Sequence, residues 1–354
     1  MTPPELTQPY EDLRVHRTVA LPTPRRLRNR LPLTYDRATT VARARKQVAD
    51  VVAGRDRRLL VVVGPCSVHD PAAALDYALL LHEKAELFRD RLLVVMRAYL
   101  EKPRSTVGWK GLINDPRLDG SGDMAAGLHA ARALLLDLVG VGLPVAVEFL
   151  EPITPQYIAD TVSWGAIGAR TVESQVHRQL ASGLPMPVGM KNRPDGRLHP
   201  AVDACAAAAR PHAYPSIDDN GRPAVVHTRG NTDCHLVLRG GDGHTNYDAM
   251  HVAAATTLLA EAGLPPRVVV DCSHGNSGKD HLRQPHVAED VARQLADGQH
   301  GIAGVMLESF LVPGRQNHCP GTPLTYGQSI TDACMGWDTT VDVLAMLAAA
   351  VRTR

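Results

Sequence analysis

Eight short runs of β-branched and aliphatic residues, each followed by an Ala- and Leu-rich stretch, constrain this chain more than any other feature. They read LLVVVGPCS (59–67), LLVVMRAYL (92–100), PVAVEFL (144–150), AIGAR (166–170), PVGMK (187–191), HLVLRGG (235–241), RVVVDCSH (267–274) and GVMLESF (304–310). Near-continuous apolar character marks strands covered on both faces, as in a parallel sheet; a face open to water would alternate with polar residues. The stretches 71–88, 123–139, 155–163, 172–182, 199–209, 247–262, 285–297 and 338–352 read as helices, the first opened by Asp70 as cap and Pro71 as first residue. Eight strands alternating with helices predict an α/β fold of the closed (β/α)8 TIM barrel type over an open doubly wound sheet. A length of 354 residues suits one such barrel with additions.

Two segments stand outside the repeat. Residues 1–58 form an N-terminal extension, a Pro/Arg-rich arm (LPTPRRLRNRLPL) followed by a helix around 36–53. Residues 213–229 (AYPSIDDNGRPAVVHTR) read as an inserted β-hairpin before strand six, turning at Asn220-Gly221. The expected division is therefore the extension 1–58 and a TIM-barrel catalytic domain 59–354. Both additions are read equally well as packing decoration or as oligomer and effector contacts.

Bulk properties exclude several function classes. Lys and Arg number 38 against 37 Asp and Glu, a net +1, which gives no electrostatic case for nucleic acid or an anionic membrane. No run of 18 apolar residues occurs, and MTPPELTQPYEDLR has no basic start followed by an apolar stretch. The six cysteines are scattered without a CxxC pair, as expected of reduced thiols in a cytoplasmic protein. No G-x-S-x-G elbow supports a hydrolase triad.

In a (β/α)8 barrel the active site lies at the C-terminal ends of the strands. The ends of the eight runs carry Cys66, Arg97, Glu148, Arg170, Lys191, Arg239, His274 and Glu308. One arginine there reads as an ordinary salt bridge. Four converging cations (Arg97, Arg170, Lys191, Arg239) repel one another unless an anion sits among them, which predicts a small anionic, phosphorylated substrate. The loop EKPRSTVGWKGLINDP (101–116) adds Lys102, Arg104, Ser105, Thr106 and Lys110. Alone it reads as a solvated turn; on the rim beside Arg97 it reads as a second phosphate clamp. Two anion sites mean two phosphorylated substrates or one bisphosphate.

Cys66, His274, Glu308 and Asp332 offer a mixed S/N/O ligand set, better suited to Mn, Fe, Co or Zn than to Mg or Ca. Each also has a plain reading: a buried cysteine, a satisfied strand-end histidine, a partner for an arginine. GNSGKD (275–280) resembles the end of a phosphate-binding loop but lacks the full G-x-x-x-x-G-K-[ST] pattern, which argues against a nucleotide.

GPCSVHDP (64–71), EKPRSTVGWKGLINDP, WGAIGARTVESQVHRQLASGL (164–184), DCSHGNSGKD (271–280), GVMLESFLVPGRQ (304–316) and YGQSITDACMGW (326–337) closely resemble the class I 3-deoxy-D-arabino-heptulosonate 7-phosphate (DAHP) synthases, from about residue 10 to the C-terminus. The resemblance implies a metal-dependent condensation of phosphoenolpyruvate with erythrose 4-phosphate and water, opening the shikimate pathway. It implies one divalent metal (Mn, Co, Fe or Zn) on Cys66, His274, Glu308 and Asp332. Phosphoenolpyruvate falls to Arg97, Lys102, Arg170, Lys191 and Arg239; erythrose 4-phosphate to Lys102, Pro103, Arg104, Ser105 and Asp332. Lys102 is the expected proton donor, and Glu148 is expected to orient or deprotonate water, with His274 counted among the catalytic residues. Feedback-regulated members carry an aromatic amino acid pocket with which Glu11, Asp12, Gln156, Tyr214 and Ser216 are compatible, and the family implies a homodimer or homotetramer.

The sequence departs from the family in places. Arg193 and Pro194 stand where the family's KNGTDG has Gly and Thr, and Pro185 stands where Ser is usual. Three competing readings are a Schiff-base aldolase using Lys191, a non-catalytic effector sensor, and a related synthase taking arabinose 5-phosphate.

Overall fold

The computed structural model describes residues 12–104, 106, 108–319 and 321–351. Two helices, α1 (Pro24–Arg30) and α2 (Tyr35–Val52), precede the first strand. Then follow β1 (Leu59–Gly64), α3 (Pro71–Leu87), β2 (Leu92–Arg97), α4 (Met124–Val141), β3 (Val145–Glu148), α5 (Pro155–Ile158), β4 (Trp164–Ile167), α6 (Gln175–Gly183), β5 (Val188–Lys191) and α7 (His199–Ala208). An antiparallel pair, β6 (Ala213–Ile217) and β7 (Pro223–His227), interrupts the alternation. The chain continues through β8 (His235–Leu238), α8 (Ala249–Glu261), β9 (Val268–Asp271), α9 (Gln284–Ala296), β10 (Ile302–Glu308), β11 (Val312–Arg315), β12 (Gln328–Ser329) and α10 (Trp337–Val351).

Strands β1, β2, β3, β4, β5, β8, β9 and β10 close into one barrel in that order, every pair parallel. The (β/α)8 expectation holds. Side chains alternate across each strand with a period of two, yet both faces are buried. Val61, Val63, Val94, Met96, Val145, Val147, Val270 and Leu307 pack outward under the helices. Leu60, Val62, Leu93, Val95, Ala146, Trp164, Val237, Val269 and Met306 fill the barrel interior. That double burial is why the runs read as continuously apolar. Helix α2 closes the interior with Val48, Val51 and Val52, which belong to the same inner cluster.

The barrel strands end earlier than the apolar runs suggested. β1 stops at Gly64, β4 at Ile167, β8 at Leu238 and β9 at Asp271, so Cys66, Arg170, Arg239 and His274 lie in the loops that follow. Asp70 caps α3 by accepting from Ala72 N at 2.9 Å and Ala73 N at 3.3 Å. The region 155–163, expected as one helix, is the single turn α5 followed by a 3-10 turn, Ala159–Thr161. The short parallel ladder β11–β12, unforeseen in the sequence, brings the 328–333 segment back to the barrel mouth. Helix α1 packs on α5 and meets the turn between β6 and β7, with Arg25 N donating to Asp219 O at 2.9 Å and Arg28 paired to Asp219 at 2.5 Å.

Candidate active site at the barrel mouth

Continuing each strand's inward parity by one step past its last interior apolar residue gives a ring: Gly64, Arg97, Glu148, Gly168, Lys191, Arg239, Asp271 and Glu308. Six of the eight are charged. The two glycines sit where a side chain has no room. A Cβ on Gly64 would lie 2.4 Å from the Arg97 carbonyl oxygen, and one on Gly168 2.2 Å from Glu148 Oε1.

The ring carries three cations and three carboxylates, and much of its charge is paired internally. Arg97, 1% exposed, donates to Glu308 Oε1 at 2.9 Å, to Pro65 O at 3.1 Å and to Cys66 O at 3.0 Å, and its guanidinium lies 3.6 Å from the centre of the Tyr99 ring. Lys191 Nζ donates to Asp271 Oδ2 at 3.0 Å, both groups buried. The four cations expected at the rim therefore do not face one another bare, because two have carboxylates of the protein beside them. Burial lowers Arg239, and nearby Arg170 adds to that, while Asp271 opposes it.

Asp271 is the ring member that the sequence reading passed over in favour of His274. Its carboxylate accepts from Lys191, from Ser273 N at 3.0 Å, from Ser273 Oγ at 2.5 Å and from His274 Nδ1 at 2.9 Å. Burial alone would raise its carboxyl, but His274 and Lys191 outweigh that and hold it well below the usual carboxylate range. The signal was present in RVVVDCSH: two residues beyond interior Val269 is Asp271, and His274 belongs to the turn.

Glu308 of the ring and, from the loops, Cys66 and Asp332 each offer a donor atom, all within 4.8 Å of one another. Cys66 Sγ lies 3.4 Å from Asp332 Oδ2. His274 Nε2 is 3.7 Å from Glu308 Oε1 but outside that tight cluster of three. Lys102 joins the group, its Nζ 2.7 Å from Cys66 Sγ and 3.1 Å from Asp332 Oδ2. Burial alone would lower the Lys102 ammonium; Cys66 and Asp332 reverse that and hold it above its ordinary value. Burial, reinforced by Glu308, pushes the Cys66 thiol up to about 12. Cys66, Glu308 and Asp332 converge as sulfur and oxygen donors and the His274 ring borders them, so this mixed set fits a divalent metal.

Polar contacts from surrounding loops fix these donors. Gln284, buried, pairs with the Glu308 backbone in both directions, at 2.9 and 3.1 Å. Ser67 Oγ and Thr331 Oγ1 lie 2.6 Å apart, and Met335 N donates to Glu308 O at 2.9 Å, which holds Asp332 beside the barrel. Asn192 accepts from Arg239 N at 2.8 Å and Asn246 Nδ2 at 3.2 Å, while Asn276 donates to Leu238 O and Asp271 O. Glu101 accepts from Leu150 N, Glu151 N and Thr154 Oγ1 between 3.1 and 3.3 Å, tying the Lys102 loop to the end of β3.

The mouth encloses a cavity of about 290 Å³ that Arg97, Lys102, Pro103, Arg104, Glu148, Arg170, Lys191, Arg239, His274 and Asp332 all line. Thr106 of the expected clamp lines it as well, and Pro194, Asp242 and Lys279 line it beyond the residues expected. Ser105 and Glu11 lie outside the described residues. Of the expected effector group, Tyr214 is 6% exposed and its hydroxyl lies 3.5 Å from where a Cβ on Gly183 would sit, at the end of α6. Ser216 Oγ is buried with no hydrogen-bond partner among the described residues, Gln156 is half-buried and Asp12 is exposed on the N-terminal arm.

Residues 36–345 match the model of the DAHP synthetase I family. The chain is 53% identical over 344 residues to the Phe-sensitive phospho-2-dehydro-3-deoxyheptonate aldolase of Escherichia coli strain K12, covering 97% of this chain and 98% of that one. It is 52% identical over 321 residues to the Tyr-sensitive enzyme of the same strain, covering 90% of each. Among solved structures, the phospho-2-dehydro-3-deoxyheptonate aldolase of Francisella tularensis SCHU S4 superposes with a TM-score of 0.94 at 48% identity, covering 96% of this chain and 99% of that one.

Proposed function

The chain belongs to the DAHP synthetase I family and is an enzyme of the DAHP synthase type, a transferase; on that premise we propose a metal-dependent condensation of phosphoenolpyruvate, erythrose 4-phosphate and water to DAHP and inorganic phosphate, with the roles below. The observation that carries the reading is Lys102, whose ammonium joins the Cys66–Glu308–Asp332 cluster to the cation-lined cavity. C3 of phosphoenolpyruvate bonds to the aldehyde carbon of the sugar, water adds at C2, and the C2–O bond to phosphate breaks.

Arg170, Lys191 and Arg239 bind the phosphate and carboxylate of phosphoenolpyruvate, replacing its water shell with fixed cations. Arg97 contributes from beneath, held in place by Glu308. Pro103, Arg104 and Ser105 grip the phosphate of erythrose 4-phosphate, with Lys102 and Asp332 at its other end. Lys102 gives its proton to the former aldehyde oxygen as the carbon–carbon bond forms. Glu148, lining the cavity opposite, orients the water and takes its proton. A divalent metal (Mn, Co, Fe or Zn) held by Cys66, His274, Glu308 and Asp332 would supply Lewis-acid polarisation of the aldehyde carbonyl.

Lys191 as a Schiff-base nucleophile is disfavoured by its buried pairing with Asp271 at 3.0 Å, which engages the amine that would have to attack. The chain's relatives include Phe-sensitive and Tyr-sensitive enzymes. An aromatic amino acid at Tyr214, Ser216 and Gln156, with Glu11 and Asp12 from a second copy in a homodimer or homotetramer, extends the reading to regulation. The experiment is an assay of DAHP and phosphate formation from both substrates by chelator-stripped protein, before and after adding Mn, Co, Fe or Zn. Turnover restored by metal is expected, and added Phe, Tyr or Trp reads inhibition on the same samples. No turnover under any metal rejects the reading.

A further inference from the structure

The segment GNSGKD, which the nucleotide reading left without a role, borders a second space. A groove of about 360 Å³ opens beside the catalytic cavity, lined by Arg239, Asp242, His244, Ser277, Lys279 and Arg283 together with glycines 241, 243, 275 and 278. The two spaces share Arg239, Asp242, His274 and Lys279 as a common wall.

Three features of the groove select an anion. Its charged lining is Arg239, Lys279 and Arg283 against one carboxylate, Asp242, a net of two positive charges. Lys279 forms no ion pair among the described residues, and Arg283 has only a loose one, 3.8 Å from Asp280. Ser277, 2% exposed, presents a buried hydroxyl with no hydrogen-bond partner among the described residues, a donor waiting for an acceptor. The loop is fixed, since Lys279 N donates to His274 O at 2.7 Å and the Lys279 backbone is held at φ +62°. A Cβ on Gly275 would lie 2.8 Å from the backbone of Gly240 and Gly241, so the two loops meet backbone to backbone and leave the side chains to line the groove.

We propose that this groove is a second phosphate site, which receives the inorganic phosphate discharged in the catalytic cavity and passes it to solvent, held by Lys279, Arg283 and the Ser277 hydroxyl; the assignment rests on the condensation read above. Arg239 belongs to both spaces, so a departing dianion moves along one wall without losing its cationic contact. Asp242 on that wall limits the net charge to a value that holds a dianion without trapping it.

The test uses full-length, metal-loaded protein saturated with phosphoenolpyruvate, which fills the catalytic cavity, titrated with inorganic phosphate by calorimetry. Arg283→Gln is expected to weaken phosphate binding by about fivefold, the range of one exposed cation, and Ser277→Ala by a smaller factor. Arg104→Gln, which alters only the catalytic clamp, is expected to leave this affinity unchanged. In turnover, Arg283→Gln raises the inhibition constant for phosphate by the same factor while kcat and the KM for phosphoenolpyruvate stay as in the wild type. Equal phosphate affinity in Arg283→Gln and wild type overturns the proposal, as does a loss confined to Arg104→Gln. The preceding phosphoenolpyruvate titration of the same samples judges the catalytic reading separately. If that substrate fails to bind, phosphate titration of the free protein still compares Arg283→Gln with wild type.

Discussion

The buried pair Lys191–Asp271 offers the sharpest quantitative test of the site. Both side chains are buried, 4% and 0% exposed, 3.0 Å apart, and the carboxylate also holds His274 and Ser273. Asp271→Asn keeps the shape but leaves the Lys191 ammonium buried without its counter-ion; Lys191→Met does the converse to Asp271. Breaking a buried pair on one side costs about 3–5 kcal/mol. With an unfolding entropy of about 2.1 cal/mol/K per residue, a chain of 354 residues loses about 1 °C of Tm for every ~0.74 kcal/mol, so each single variant melts about 4–7 °C lower. Removing both charges removes the cause of the penalty. The double variant is therefore expected to melt no lower than either single one, a coupling of at least about 3 kcal/mol, instead of losing the sum. Scanning calorimetry of the four chelator-treated proteins measures this, chelation keeping the His274 contribution to metal binding out of the comparison. Strictly additive losses, or single losses under about 1 °C, refute the claim that the pair is mutually compensating.

Other outcomes follow from the same geometry. Lys102→Met is expected to lower kcat by several orders of magnitude in the DAHP assay, and a loss below about tenfold removes Lys102 from proton transfer. Burial holds the metal-free Cys66 thiol protonated, up to about 12, so ligation as thiolate must release that proton. Metal affinity then rises with pH, by about tenfold per unit between pH 6 and 8, and an affinity that is flat across that range excludes thiolate ligation. Gly64→Ala puts a Cβ 2.4 Å from the Arg97 carbonyl, which forces β1 and β2 apart just below the site. A loss of about 1–3 kcal/mol in chemical denaturation is expected, together with weakened phosphoenolpyruvate binding; wild-type behaviour in both would show that the strands accommodate the methyl.

The sequence by itself determined the barrel, because its signal is local: residues covered on both faces of a strand are apolar at every position, and that continuity appears in LLVVV and RVVVD without knowledge of neighbours. It also delivered Arg97, Glu148, Lys191, Arg239 and Glu308 to the ring, since these fall on the interior parity of their strands. It misjudged where strands end. Cys66, Arg170 and His274 stand two or three residues past the ring, in turns, while Gly64, Gly168 and Asp271 occupy the ring itself. Asp332 lies on no strand and reaches the site through the β11–β12 ladder, the Ser67–Thr331 contact and the Met335 N–Glu308 O bond.

What tertiary structure alone decided is which charges meet. Arg97 finds Glu308 across 211 residues of sequence, and Lys191 finds Asp271 across 80. Periodicity assigns a residue to a face, but only closure of the sheet sets its neighbours on that face. The ring of apparent cations is for that reason half-neutralised by carboxylates brought in from distant strands, and the charge left to a ligand is smaller than a count along the chain implies.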